Sequence, residues 1–339
     1  MIRAAIVGLG WWGKNLVNAV RDHGDLIRFT TAHTRHPAPV AGFCREHDLR
    51  WVGDLDAVLA DPTLDAVVFA TPHSAHVEQV LRAAASGKSV FVEKPFTLSV
   101  ADAVAAIEAA ERAGIVLAVG FNRRFHPSMG HLRRAVHEQR LGTIVTVMAE
   151  QTALHGLHLA ADAWRAHPNE SPAGAMTPIG VHLVDGMIDL LGRIRAVTAL
   201  TERRAAPHGG DDTTSVLLSF ESGATGHLFC SVAATPHYRM AVYGTKGLGE
   251  VLFHPMHTFR LTPSADAGQL SGATPEVVET QGFNMLTAEL MEFARCVAEH
   301  RPFPTPLSDI LHGVAVFEAI AQSAETHRTV QVADKEIGR

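Results

Sequence analysis

Short apolar runs alternate with helix-like stretches over roughly the first 120 residues. Ile2–Val7 is the first run, followed by glycines and then a helical pattern through Leu16, Val17 and Val20. Leu26–Thr31, Leu64–Ala70, Ser89–Val92 and Ile115–Val119 read as further strands. Ser74–Ser86 and Val100–Ala113 read as helices, closed by Gly87 and Gly114. Glycine readily takes the left-handed conformation that ends a helix. Strands separated by helices require right-handed crossovers, which predicts a parallel sheet. Strands that are apolar along their whole length fit a sheet covered on both faces.

The pattern changes after Phe121. Met129–Gln139 reads as a helix. Strand-like runs then dominate: Thr143–Gln151, Arg195–Glu202, Thr213–Phe220, Thr225–Ala233 and Arg239–Gly244. Several are joined by turns such as Glu221-Ser222-Gly223, which predicts a mainly antiparallel sheet. Gly180–Leu191, Phe283–Glu299 and Leu307–Glu325 read as helices, and Pro263–Thr274 as a flexible turn. A chain of 339 residues is long for one core, so two domains are expected, 1–122 and 123–339. The fold class is α/β: a doubly wound parallel sheet followed by an α+β domain.

Composition narrows the partners. A hydrophobic fraction of 47% with 19% charged residues is that of a globular chain, not a disordered one. The net charge of −6, with no basic run beyond pairs such as Arg123-Arg124 and Arg133-Arg134, argues against nucleic acid. Cys44, Cys230 and Cys296 are far apart and form no metal-binding pair, so a reduced, cytoplasmic setting without structural zinc is expected. The N-terminal apolar run leads directly into a glycine loop and reads as a strand, not a signal peptide. No stretch offers the ~20 apolar residues that span a bilayer.

The loop Gly8-Leu9-Gly10-Trp11-Trp12-Gly13 follows a strand and opens a helix, the context that makes a GxGxxG pattern specific for a dinucleotide. Gly8 permits the tight turn, Gly10 lets backbone approach the pyrophosphate, and Gly13 lets helix and strand pack closely. Trp11 and Trp12 are carried on the same loop. The end of the second strand, where the ribose is read, has no acid. Thr34 and Arg35 stand there and would welcome a 2′-phosphate, so NADP(H) is favoured, with NAD(H) the alternative.

Further motifs accumulate at later strand ends. They are Ala70-Thr71-Pro72-His73-Ser74-Ala75-His76, Glu93-Lys94-Pro95 and Gly120-Phe121-Asn122-Arg123-Arg124-Phe125. Trp164-Arg165 and Gly180-Val181-His182-Leu183-Val184-Asp185 follow. This order and spacing resemble the Gfo/Idh/MocA family of NAD(P)-dependent oxidoreductases over nearly the whole chain, with Glu-Lys-Pro the most specific mark. The resemblance implies a Rossmann domain joined to a domain with a large, open sheet. That sheet commonly packs against a partner subunit, so a homodimer or homotetramer is expected. It places Lys94 near the nicotinamide and the reacting carbon, with Pro95 setting the peptide geometry there, a cis bond being one form. It places His182 opposite Lys94, on a helix of the second domain. Thr71, Pro72, His73, His76, Glu93, Lys94, Asn122 and Arg123 join Gly8, Gly10, Trp11, Trp12, Gly13, Thr34 and Arg35 as cofactor-binding candidates.

Hydride transfer from a carbinol carbon needs a group to exchange the hydroxyl proton. A free lysine, with a pKa near 10.4, is a poor base, whereas histidine starts close to neutrality. His182 is therefore the proton-exchanging candidate and Lys94 the group that polarises the oxygen, the reverse assignment remaining open. Asp185 lies three residues after His182, on one helical face, and would orient the imidazole or meet a substrate hydroxyl. Many family members carry an aspartate four residues before the histidine; here Pro178 stands in that position. The substrate pocket is expected between the domains, with Arg123, His155, His158, Trp164 and His182 as lining candidates. Arg123 would meet the cofactor or a substrate carboxylate. His155 and His158 lack an accompanying carboxylate, so no metal is expected. The leading expectation is a redox enzyme acting on a secondary alcohol or ketone of a sugar, polyol or cyclic diol. An NAD-dependent glycosidase using transient redox, or a non-catalytic nucleotide-sensing regulator, are the alternatives.

Overall fold

The computed structural model describes residues 1–207, 209–253, 255–264 and 274–333. These fall into two units. Among the described residues, the first holds Met1–Asn122 and Asn284–Leu311; the second holds Arg123–Phe283 and residues 312–333.

The first unit is built on a parallel sheet. Its strands are β1 (Ile2–Val7), β2 (Ile27–His33), β3 (Arg50–Trp51), β4 (Ala66–Phe69), β5 (Ser89–Val92) and β6 (Leu117–Val119). Among the described residues their order is β3-β2-β1-β4-β5-β6, so the chain winds outward in both directions from β1. Every residue of β4, β5 and β6 is buried, as strands covered on both faces must be. The helices of this layer are α1 (Trp11–Ala19), α2 (Ala41–Glu46), α3 (Leu55–Leu59), α4 (His76–Ala85) and α5 (Val100–Ala113). Local chemistry sets the ends of α5. The Ser99 side chain accepts from the Asp102 amide, and Gly114 closes the helix at φ +64°.

A late segment returns to this unit. Helix α8, Met285–Glu299, buries Leu290, Phe293, Ala294 and Val297, and the Phe293 ring meets Phe91 of β5 edge-on at 5.7 Å. Asn284 caps it by accepting from the Leu286 and Thr287 amides, and the Thr287 hydroxyl donates to the Ala19 carbonyl at the end of α1.

The second unit carries helix α6 (Pro127–His137), strand β7 (Ile144–Thr152), helix α7 (Gly180–Leu191) and strands β8 (Ile194–Glu202), β9 (Thr213–Phe220) and β10 (Thr225–Ser231). Strands β11 (His237–Gly244), β12 (Gly247–Leu252), β13 (Thr258–Pro263), β14 (Glu276–Glu279) and β15 (Val330–Gln331) complete its sheet. Helix α9, Leu307–Thr326, begins in the first unit and continues in the second. Among the described residues the sheet runs β14-β13-β12-β11-β7-β10-β9-β8-β15. Its pairings are antiparallel except the parallel pair β10–β7. One face is buried: Tyr238, Met240 and Val242 of β11, Val147, Ala149 and Gln151 of β7, and Leu228 and Cys230 of β10. The other face keeps Met148, Leu200, Leu217 and Phe229 exposed. The expected α/β pairing of a parallel sheet with a mainly antiparallel one is the architecture observed. Strands β3 and β12 to β15 and helices α2 and α3 go beyond the sequence reading. The turn expected over Pro263–Thr274 lies mostly outside the described residues. No helix among the described residues is long and apolar enough to cross a membrane.

Candidate functional site

The glycine loop after β1 is shaped by contacts that exclude side chains. Gly8 sits at φ +93°, and a Cβ there would lie 2.4 Å from the Ala70 carbonyl oxygen. A Cβ on Gly13 would lie 2.0 Å from the Gly8 carbonyl oxygen, so α1 can lie this close to the loop only as glycine. Gly10 has open space where its Cβ would project. It is also the N-cap of α1, with no side chain capping the helix and no acid in the first turn. The first amides of α1 are thus left to an external anion, and the residues present fit a dinucleotide's pyrophosphate. Trp11 is exposed, and its ring lies 5.4 Å from that of Trp12, whose indole N–H is buried without a partner. Beyond β2, the Thr34 carbonyl accepts from the Trp51 indole at 3.4 Å, while Arg35 is exposed to solvent.

The turns after β4 and β5 are tied together. His76, fully buried, donates from Nδ1 to the carbonyls of Pro95 (3.0 Å) and Phe96 (3.2 Å), and its Nε2 lies 3.3 Å from the Thr71 carbonyl. His76 therefore couples the Thr71-Pro72-His73 turn to the segment after Lys94. His73 is buried with its ring 5.8 Å from that of His76, and the Thr71 hydroxyl donates to Gln79. The Lys94–Pro95 peptide is cis. Glu93 is buried; its carboxylate accepts from the Lys94 amide at 3.3 Å, and Gly120 leaves it room, since a Cβ there would lie 3.0 Å from both carboxylate oxygens. Asn122, buried, closes this unit's first segment.

In the second unit His182 and Asp185 lie on α7, both buried. The helix enters through Gly180, where a Cβ would be 2.4 Å from the Met176 sulfur. The Asp185 carboxylate is engaged by Arg124, whose Nε donates to both its oxygens at 2.9 and 3.1 Å. Arg124 also donates from Nη1 to Asp189, one turn further along α7, and Arg133 of α6 donates to Asp189 through Nε and Nη2. Asp185, expected to meet the imidazole or a substrate, is thus part of an arginine–aspartate cluster. Arg123 lies with its guanidinium 5.2 Å from the ring centre of Tyr238 on β11. His155 is exposed on a short helical turn, His155–His158, whose Gly156 is pressed against Val232. Trp164 is half-buried, with the Arg165 guanidinium 4.1 Å over its ring.

The sequence reading did not single out Asp189, Gln151 or Tyr238, nor pair Arg124 and Arg133 with acids. A signal for the ion pairs was present: apart from His182, Asp185 and Asp189 are the polar residues of an apolar helix, and buried acids require cations.

Comparison with known proteins matches both parts of the chain. Residues 2–121 match the family model described as the Gfo/Idh/MocA oxidoreductase family, NAD-binding Rossmann fold. Residues 129–249 match the Gfo/Idh/MocA C-terminal domain. The chain is 28% identical over 313 residues to scyllo-inositol 2-dehydrogenase (NAD(+)) of Bacillus subtilis, covering 87% of this chain and 86% of that protein. It is 33% identical to D-xylose 1-dehydrogenase (NADP(+)) 2 of Haloferax volcanii, covering 83% and 84%. The fold is like that of levoglucosan dehydrogenase in complex with NADH and L-sorbose, with a TM-score of 0.88 at 20% identity over 98% of this chain and 99% of that one.

Proposed function

The chain belongs to the Gfo/Idh/MocA oxidoreductase family, and we propose that it is an NAD(P)-dependent dehydrogenase acting on a secondary alcohol or ketone of a sugar, polyol or cyclic diol. The observation that carries this reading is the glycine loop with free helix amides, joined in one unit to the Glu93-Lys94-Pro95 turn. The inositol and xylose dehydrogenases among its relatives support the substrate class.

Bound nicotinamide supplies the hydride acceptor. Oxidation of the carbinol breaks its C–H bond, the hydrogen leaving with the bonding pair, and forms the C=O bond as the hydroxyl loses its proton. His182 takes that proton in this reading, and the Lys94 ammonium stabilises charge building on the oxygen as the carbonyl forms. In the reductive direction His182 returns the proton. Gly8, Gly10 and Gly13, with Trp11 and Trp12, hold the cofactor's phosphate side, and Thr34 with exposed Arg35 favours a 2′-phosphate. The turns carrying Thr71, Pro72, His73, Glu93 and Asn122 frame the nicotinamide side, with His76 positioning Lys94 through the Pro95 carbonyl. Arg123, His155 and Trp164 serve the substrate, and Asp185 acts through Arg124 in fixing α7. A panel of polyols, sugars and dihydrodiols, followed at the NAD(P)H absorbance with each cofactor, tests this. Turnover with a lower KM for NADP is expected. A clear preference for NAD overturns the role of Arg35, and silence across the panel overturns the enzyme class.

We also propose that the open face of the second unit's sheet pairs with a second copy of this chain. Leu200 and Leu217 are each more than half exposed there, with Phe229 and Met148 also exposed, so large apolar side chains interleave with polar ones on a face of the kind that marks an interface. Sedimentation should therefore show a dimer or tetramer, and Leu217→Glu should shift it toward monomer. A monomeric wild-type protein at micromolar concentration would falsify this assignment.

A further inference from the structure

The buried face of the second unit's sheet holds a charge imbalance. Arg124 and Arg133 are shared between Asp185 and Asp189 through the hydrogen bonds described above, so two cations meet two anions. Arg123 adds a third cation to the cluster. It is partly exposed as a residue, yet its Nη1 has no solvent contact and no hydrogen-bond partner. Burial pushes this guanidinium down to about 10, against the opposing influence of Tyr238 and Asp185. A buried cation whose donor is unmet is costly unless an anion completes it.

A second orphan lies nearby. Gln151 of β7 is 3% exposed, and its Oε1 is buried without a partner. It stands directly across the strand pair from Tyr238, on the same buried face, and Arg123 rests against that same tyrosine ring. Cross-strand neighbours have Cβ atoms about 5 Å apart. The Tyr238 ring is therefore flanked by an unmet donor on a cation and an unmet acceptor on a neutral amide. Neither side chain satisfies the other. A ligand presenting an anionic oxygen to Arg123 and a hydroxyl to Gln151 would satisfy both.

We propose that Arg123 receives a carboxylate of the substrate and Gln151 an adjacent hydroxyl, so that the alcohol oxidised belongs to a hydroxy acid of the sugar-acid type. This rests on the dehydrogenase reading above and narrows its substrate class. The guanidinium suits a carboxylate because it offers parallel N–H donors to two oxygens. A neutral polyol would leave the excess charge of the cluster unmet.

The test is direct binding, which does not depend on turnover. D-gluconate, D-glucuronate and D-galacturonate are titrated into the cofactor-loaded protein beside D-glucitol, D-glucose and D-galactose. A charge-assisted hydrogen bond is worth enough that at least one acid should bind about tenfold or more tightly than its neutral counterpart. Arg123→Met should abolish that preference, and Arg123→Lys should keep part of it. The affinity for NAD(P)H, measured separately, should stay within about threefold of wild type, a difference under 1 kcal/mol. Acids that bind no tighter than their neutral counterparts overturn the proposal. So does an acid preference that survives Arg123→Met, or a loss of cofactor affinity in that variant, which would place Arg123 on the cofactor. If Arg123→Met does not fold, the wild-type comparison decides alone. Acid preference without NAD(P)H formation from any sugar acid or polyol would sink the dehydrogenase reading while leaving the anion site standing.

Discussion

Replacing Lys94 by methionine is expected to lower kcat by about 10³-fold while leaving the cofactor bound, since positioned proton-handling and charge-stabilising groups contribute roughly 10²–10⁴. Methionine preserves most of the stem and removes the ammonium. The turn that carries Lys94 has its own supports. Its amide donates to buried Glu93, and His76 of α4 holds the Pro95 carbonyl. Neither of these uses the lysine ammonium, so the turn should survive the change. The glycine loop lies on a different strand end and should bind NAD(P)H as before. The expected signature is therefore a fall in kcat with a cofactor Kd within about threefold of wild type. His182→Ala should give a loss of the same order. Near-normal turnover of Lys94→Met on a confirmed substrate would remove Lys94 from the chemistry.

The elements most legible from sequence were those whose ends carry their own chemistry. Val100–Ala113 is bounded by the Ser99 cap and left-handed Gly114, and its extent is the one read from the pattern. Ser89–Val92, Gly180–Leu191 and Thr213–Phe220 are likewise found at the limits read for them. Elsewhere ends move by a residue or two, as in Ile144–Thr152, because strand ends depend on partners that the pattern does not name. Strand β3 is two residues long, and β12 opens Gly-Leu-Gly and buries Glu250 against Arg239 and Arg260. Neither carries an apolar alternation to find. The return of α8 to the first sheet was equally hidden, since an amphipathic helix does not say which sheet its apolar face covers.

At the candidate site, local motifs were readable and their partners were not. The glycine loop needs only its own spacing, and the steric contacts of Gly8 and Gly13 give that spacing its reason. His76 looked like a ligand-facing residue at a strand end, yet its ring nitrogens meet backbone carbonyls from two turns. Asp185 looked available to an imidazole three residues away, yet its carboxylate meets an arginine 61 positions earlier. Spacing along a helix places side chains on one face, but it cannot say which distant residue reaches that face first.

Arg124→Met is expected to destabilise the protein by about 3–5 kcal/mol, because breaking a buried ion pair from one side leaves its partner's charge uncompensated. Arg124 is 8% exposed and bridges Asp185 at 5% and Asp189 at 10%. Asp189 keeps Arg133, so the loss falls mainly on Asp185. For a chain of this size that corresponds to a fall in Tm of roughly 4–7 °C. Adding Asp185→Asn to Arg124→Met should recover part of the loss, since the amide does not bring a buried charge. The same cluster anchors the face of α7 that carries His182, so Arg124→Met should also lower kcat in protein that remains folded. An unchanged melting temperature in Arg124→Met would mean that water, not Arg124, satisfies Asp185. Recovery with the double variant would instead locate the cost in the unmet carboxylate of Asp185.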